Sequence, residues 1–308
     1  MSIVKPENLF KHAIENSYAL PAFNVFSTDS LIATLEGLNN QQSPGIIQVS
    51  IGARKHFKHL NSFVKTIRDF SGNYSIPVFI QHDHCSTYED CVIAIECGVQ
   101  AVMFDGSHLP FEKNIEMTRE VVEYAKNRQI WVEAELGVIP GSEDDIVHQQ
   151  VLYTDPDLVN TFIEQTGCNA LAISVGTSHG GIIADDYLPL NKDLLLKIIK
   201  SRPDYPFVLH GAASLPPELI ELCNKQGGKV KYLRNCSEQD ICTATKLGVK
   251  KINMDVDNFL TFTTAVRKYL NANPQIYDPR KYIKEGMLAW QKEVEHKIKK
   301  VSLSSGMV

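Results

Sequence analysis

Residues 77–84 read PVFIQHDH: an apolar, strand-like run that ends on an aspartate and a histidine. The same design returns twice. Residues 170–178, ALAISVGTS, lead to His179, and residues 206–209, PFVL, lead to His210. His179 and His210 are each followed by glycine, which lets backbone and substrate approach closely. Three neutral imidazoles gathered at the mouth of a parallel barrel are the usual protein share of a catalytic zinc, which keeps one coordination position open for substrate. Taken singly, each histidine reads as a hydrogen-bonded core or surface residue. Their recurrence at strand tips makes them candidate ligands.

Working outward, short apolar runs alternate with longer amphipathic ones. Strands are predicted over 19–25, 45–50, 77–83, 101–105, 130–135, 170–175, 207–210 and 249–253. Helical patterns separate them over 29–40, 88–97, 114–127, 156–166, 192–200, 217–225 and 237–247. Eight strands alternating with helices predict a (β/α)8 TIM barrel. The stretch from Asp257 onward is largely helical and would close the barrel or pack on a neighbour. No linker-like break and no tandem repeat divides the chain, so residues 1–308 read as one domain. The segments 136–153 and 180–190 read as irregular, and loops that long at the rim of a barrel are usually mobile and functional.

A polar or metal-binding residue ends nearly every run: Asn24, Ser50, Asp83 with His84, Asp105, Glu135, His179, His210 and Asn253. In a barrel these tips converge on one mouth. Asp83 reads either as a carboxylate orienting an imidazole or as a general acid/base beside the metal. His82 points away from the barrel by strand alternation. Glu133 and Glu135 share one face, and two like charges facing the interior are costly unless a cation or strong donors compensate. Asp105 and Glu135 are candidate ligands of a second or alternative metal position. Glu143, in GVIPGSEDD, belongs either to a solvated acidic loop or to a loop that swings a carboxylate over the substrate.

Composition narrows the classes. Hydrophobic residues make up 44% of the chain, charged residues 22%, and the formal net charge is −5. Charges of both signs are dispersed, which argues against nucleic acid or an anionic membrane as partner. Seven cysteines without a CxxC pair read as reduced thiols of a cytoplasmic protein. The first residues are polar and amphipathic, unlike a secretory signal, and no apolar stretch approaches a membrane span.

With these residues in place, the chain resembles the class II, zinc-dependent fructose-bisphosphate (ketose-bisphosphate) aldolases over nearly its whole length. The resemblance rests on AFNV (22–25), DHC (83–85), VMFDGSHLPFEKNI (102–115), VEAELG (132–137), GSEDD (141–145), VGTSHG (175–180), LHGAASLP (209–216), KINMDVD (251–257) and YDPRKY (277–282). It implies that His84, His179 and His210 hold zinc, and that Asp83 handles the C4 hydroxyl proton. Glu143 would be the mobile-loop acid that exchanges a proton with the enediolate. Asn24, Ser50, Gly180, Gly211, Ser214, Asn253 and Asp255 would bind substrate. Asp105 and Glu135 match acidic positions tied to a second divalent or a monovalent cation. A Lewis acid on the C2 carbonyl oxygen suits this chemistry, since breaking C3–C4 leaves a carbanion to be stabilised. The resemblance also implies a homodimer or homotetramer acting on a small sugar or aldehyde.

The chain departs from the family at the phosphate grips. Of the residues around the 1-phosphate, Gly180 is kept. The lysine of HGxYK is replaced at Ile183, the serine of HGxS at Ala213 and the hydroxyl residue of NxDTD at Val256; the arginine for the distal phosphate gives way to Phe259. Each charge-assisted donor to a phosphate is worth roughly 1.5–3 kcal/mol. The expected substrate therefore lacks the usual 1-phosphate or carries a less charged group there. Two other readings stand beside this one: an ordinary fructose 1,6-bisphosphate aldolase using Arg54, Lys55 or Arg280 as compensating donors, and a non-catalytic homologue serving as a partner or regulatory subunit.

Overall fold

The computed structural model of the chain describes residues 2–143, 146–148, 152–180, 189–231 and 236–308, with backbone alone at 142, 143 and 146–148. Ten strands are named in chain order: β1 (Leu20–Asn24), β2 (Gly45–Val49), β3 (Val78–Cys85), β4 (Ala101–Phe104), β5 (Trp131–Leu136), β6 (Gly141–Glu143), β7 (Ile146–His148), β8 (Ala170–Ile173), β9 (Phe207–Leu209) and β10 (Lys251–Met254). Eight of them, all but β6 and β7, form a closed parallel barrel in the order β1-β10-β9-β8-β5-β4-β3-β2. The seam pairs Leu20 with Lys251 and Ala22 with Asn253. This is the (β/α)8 barrel expected from the alternating runs. The 136–153 segment differs from its irregular reading, because β6 and β7 pair antiparallel within it. Three-residue strands are too short to show a period.

Alternation sorts the strand side chains into two cores. Phe23, Ile47, Ile80, Val102, Val132, Leu171, Leu209 and Ile252 belong to one cluster packed under the helices. Leu20, Ala22, Ile46, Phe79 and Ala101 instead meet Leu9, Phe10 and Ala13 of the helix Pro6–Glu15. Phe10 stacks on Trp131 with ring centroids 4.7 Å apart. This first helix thus plugs the N-terminal end of the barrel, and each large side chain it buries is worth roughly 1.5–3 kcal/mol. Met103, Ala170, Ala172 and Val208 form a further apolar layer. Inward positions toward the strands' C-terminal ends include the buried polar residues Gln48, Gln81, Glu133 and Lys251, then Asn24, Asp83, Glu135, His210 and Asn253. A dry polar layer of this kind is tolerated only when its members pair.

The C-terminal helices Val256–Ala272 and Pro279–Lys297 pack on each other, and the second packs on Thr28–Asn40, the helix that follows β1. Gly286 makes the first contact possible, since a Cβ there would lie 2.5 Å from the Phe262 ring. The pair therefore bridges the outside of the β10–β1 seam. Among the described residues, no helix is long and apolar enough to cross a membrane.

Candidate active site

Strand alternation alone would send the neighbours Asp83 and His84 to opposite faces. The structure resolves this with a local irregularity. The β3–β4 register shifts between His82 and Cys85, and His84 adopts φ +45°. A left-handed backbone at a non-glycine residue costs on the order of 1–3 kcal/mol. It turns the His84 ring inward beside Asp83. His82 stays outside, buried, with Nδ1 3.2 Å from Cys85 Sγ.

His84, His179, His210 and Glu135 converge at the mouth, each offering a ligand atom within 4.8 Å of the others. The His84 ring centroid lies 5.0 Å from that of His179 and 4.7 Å from that of His210. The backbone fixes the loops that carry them. His179 N–H donates to Pro140 O at 2.7 Å, and Gly141 of β6 bridges to His179. Gly211 has φ +59°, and a Cβ there would lie 2.5 Å from the carbonyl carbon of Ser178. Only glycine lets the loops after β8 and β9 pack this closely.

Carboxylates set the imidazole tautomers. Asp105 Oδ2 lies 3.1 Å from His84 Nδ1, and Asp105 Oδ1 accepts Ser107 N–H at 3.1 Å and Oγ–H at 2.7 Å. Burial alone would push the Asp105 carboxyl up; the His84 hydrogen bond and charge and the Ser107 donors outweigh it and hold it well below the ordinary range. Glu133 Oε1 lies 2.8 Å from His210 Nε2. Lys251 Nζ bonds both Glu133 oxygens at 2.9 and 2.7 Å, and Gln81 Nε2 donates to Oε2 at 3.0 Å. Burial opposes ionisation of Glu133, yet the Lys251 charge and His210 hold it down at about 2. Burial pushes His210 below its ordinary value against the pull of Glu133.

When the outer nitrogens donate to the carboxylates and the rings are neutral, the inner ones, His84 Nε2 and His210 Nδ1, present lone pairs. They face each other at 2.8 Å. Two lone pairs so placed call for a cation, and three imidazoles with a carboxylate suit zinc. The donor set fits the ion. Asp105 departs from its expected place: it stands behind His84 as an orienting carboxylate, outside the converging group, whereas Glu135 joins the histidines directly. A second convergence, of Asp83, Glu133 and His210, shares His210 with the first.

Asp83 is held by two amides. Asn253 Nδ2 donates to its Oδ2 at 3.0 Å and Asn24 Nδ2 at 3.3 Å. Asp83 Oδ1, Asn24 Oδ1 and Asn253 Oδ1 are buried without a protein partner. Buried polar atoms are rarely left so.

The other expected site residues divide. Asn24, Ser50, Gly180, Asp255, Val256 and Phe259 line a cavity of about 390 Å³ at the mouth. Ser50 also caps the helix Ile51–Phe57 by accepting Ala53 N–H at 3.2 Å. Ser214 faces a different network: its N–H donates to Asp257 Oδ1 at 3.0 Å and its hydroxyl meets Lys297 Nζ. Ala213 is buried. The Glu143 side chain and Ile183 lie outside the described residues. Gln81, Lys251 and Lys297 were not singled out by sequence. Lys251 carried a signal, being two residues before Asn253 on one strand face. Lys297 carried only the i,i+4 spacing to Glu293, because its other partners come from a distant loop and helices.

Comparison with known proteins places this architecture. Residues 4–306 match the family model described as fructose-bisphosphate aldolase class-II. The fructose-bisphosphate aldolase of Treponema pallidum (strain Nichols) is 37% identical, covering 99% of this chain and 98% of that one. That of Geobacillus stearothermophilus is 35% identical over 93% of this chain and 92% of its own length. Among solved structures, the YdjI aldolase from Escherichia coli K12 superposes with a TM-score of 0.78 at 26% identity, covering 99% of this chain and 98% of that one. The chain belongs to the class II fructose-bisphosphate aldolase family. It is a lyase with an eight-stranded barrel.

Proposed function

We propose that the protein uses zinc to catalyse reversible aldol cleavage of a ketose-type substrate that lacks the usual 1-phosphate. The observation that carries the metal is the convergence of His84, His179, His210 and Glu135, with His84 Nε2 and His210 Nδ1 2.8 Å apart. His84, His179 and His210 would hold the ion, and Glu135 would offer a further ligand. Zinc, when bound, acts as a Lewis acid that polarises the substrate carbonyl. The protein's own groups do the rest. Asp83, anchored through Oδ2, presents Oδ1 to the C4 hydroxyl and takes its proton as C3–C4 breaks. Asn24 and Asn253 offer their carbonyl oxygens to neighbouring hydroxyls. Glu143, two residues beyond the glycine that pairs with His179, is assigned the proton exchange at C3.

The substrate reading is supported by the cavity wall. Val256 and Phe259 line it, and among the described residues no lysine or arginine does. The alternative, an ordinary fructose 1,6-bisphosphate aldolase, is favoured by the names of the relatives at 37% and 35% identity. Two of its three proposed donors are engaged elsewhere: Arg54 pairs with Asp90 at 2.8 Å and Arg280 with Asp278 at 2.8 Å. One assay separates the two. The zinc-loaded protein should cleave an unphosphorylated ketose in preference to fructose 1,6-bisphosphate. Saturable, efficient turnover of the bisphosphate would overturn the substrate reading and leave the aldolase intact.

A further inference from the structure

The cavity beside Asp83 has an aromatic wall that the reaction as described does not use. Phe26 stands edge-on to His56, with centroids 5.8 Å apart at 78°, and edge-on to Phe259, 5.7 Å apart at 73°. Both phenylalanines rest on the buried Trp290, at 6.0 and 5.8 Å. The indole is itself pinned by its N–H to Thr34 Oγ1 at 2.9 Å. The wall is therefore braced by the C-terminal helix Pro279–Lys297 and by Thr28–Asn40. Yet it stays open on the cavity side, where Phe259 is 39% exposed.

The position of this wall says which half of the substrate meets it. Asp83 takes the C4 proton, so the carbons beyond C4 leave the metal on the Asp83 side. Asn24 bonds Asp83 and is itself part of the cavity lining. These carbons become the released aldehyde. A phosphate dianion there would lie beside Asp255, with His56 as the sole cation-forming side chain among the described lining residues. An uncharged ring or branched alkyl group would instead meet Phe26 and Phe259. Aromatic rings prefer edge-on and offset contacts of this kind over face-to-face stacking.

We propose that Phe26, His56 and Phe259 form the seat for the aldehyde half of the substrate and select an uncharged, ring-sized or branched apolar group there. The proposal rests on the aldolase reading above and extends it to the end of the substrate remote from the metal. Residues 54–58, a basic turn of helix, thereby gain a ligand-facing member in His56.

Two measurements test it. The first is condensation of dihydroxyacetone by the zinc-loaded protein with phenylacetaldehyde, isobutyraldehyde, glyceraldehyde or glyceraldehyde 3-phosphate. The expected result is a kcat/KM at least tenfold higher for the two apolar aldehydes than for the phosphorylated one. Phe259→Arg should reverse that order, and Phe26→Ala should cut the apolar aldehydes about tenfold while sparing glyceraldehyde. The second is binding of 2-phenylethanol against glycerol 3-phosphate by saturation-transfer NMR, which needs no turnover. Preference for the phosphorylated partner in either measurement, or an unchanged ratio in both variants, would overturn the seat. No condensation with any aldehyde, while 2-phenylethanol still binds and loses its site in Phe26→Ala, would overturn the aldolase reading and leave the seat standing.

Discussion

At the scale of single residues, the site separates ion holding from proton handling. Asp83 is fixed by Asn24 and Asn253 through one oxygen. Asp83→Asn keeps the shape and removes the base. It should lower kcat by about 10²–10⁴-fold with zinc content unchanged, as measured by elemental analysis beside steady-state kinetics. Asp105 works on the other account. It aligns His84, so Asp105→Asn should weaken zinc binding by about 10–100-fold, read by competition with a chelator. Equal zinc affinity in the two variants would contradict this division. His84 shows why some of this was hidden in the sequence. DHC announces two reactive neighbours, but a strand's period of two forbids both from facing one site. The left-handed φ that reconciles them at a non-glycine residue leaves no compositional mark.

Among elements, the decisive contact is between the last helix and the loop after β9. Lys297 is buried and its Nζ reaches Asp257 at 2.8 Å, Glu238 at 3.1 Å and Glu293 at 3.4 Å, besides the Ser214 hydroxyl. Burial disfavours its charge, but Asp257 and Glu293 more than compensate and raise it above the ordinary lysine value. Glu238 is pushed up by partial burial and pulled lower overall by Lys297 and His296. A carboxyl held low by the fold contributes stability above its ordinary pKa, 4.5 for Glu238, and loses it as pH falls through the folded value. Removing the cation inverts that sign, because protonation then relieves three crowded carboxylates. Lys297→Met should cost about 3–5 kcal/mol near neutral pH, and the deficit should shrink toward about pH 4, where carboxyls protonate. Denaturant melts of both proteins across that range check it, and a deficit independent of pH would refute it. Ser214, expected as a substrate contact, meets this strut, and nothing in LHGAASLP shows a lysine 83 residues away.

For the molecule as a whole, zinc is expected to act as a ligand of the folded state. At free zinc 100-fold above its dissociation constant the gain is about 2.7 kcal/mol, which for a chain of this length raises the melting temperature by roughly 5 °C. Calorimetry of chelator-treated protein with and without added zinc measures it, and coincident melts would count against the site. The architecture behind this was largely readable. Each of the eight barrel strands overlaps a run picked out by its apolar pattern and polar tip, because a barrel forces every tip toward one end. What escaped was short or shared. The helices Pro6–Glu15, Ile51–Phe57 and Leu60–Ser71 were not among the predicted helices. The Lys251–Glu133 pair joins residues 118 apart, and its logic appears only once the sheet closes.

That closure has a consequence for how the protein is made. The strand that seals the barrel against β1 is the last one in the sequence, and it brings both the lysine that neutralises Glu133 and an amide that steadies Asp83. A nascent chain that has already supplied all three imidazoles still lacks the counter-charge and the wall that keep them dry. Ion capture should therefore be a terminal event in biosynthesis, leaving partly translated chains with little capacity to scavenge metal.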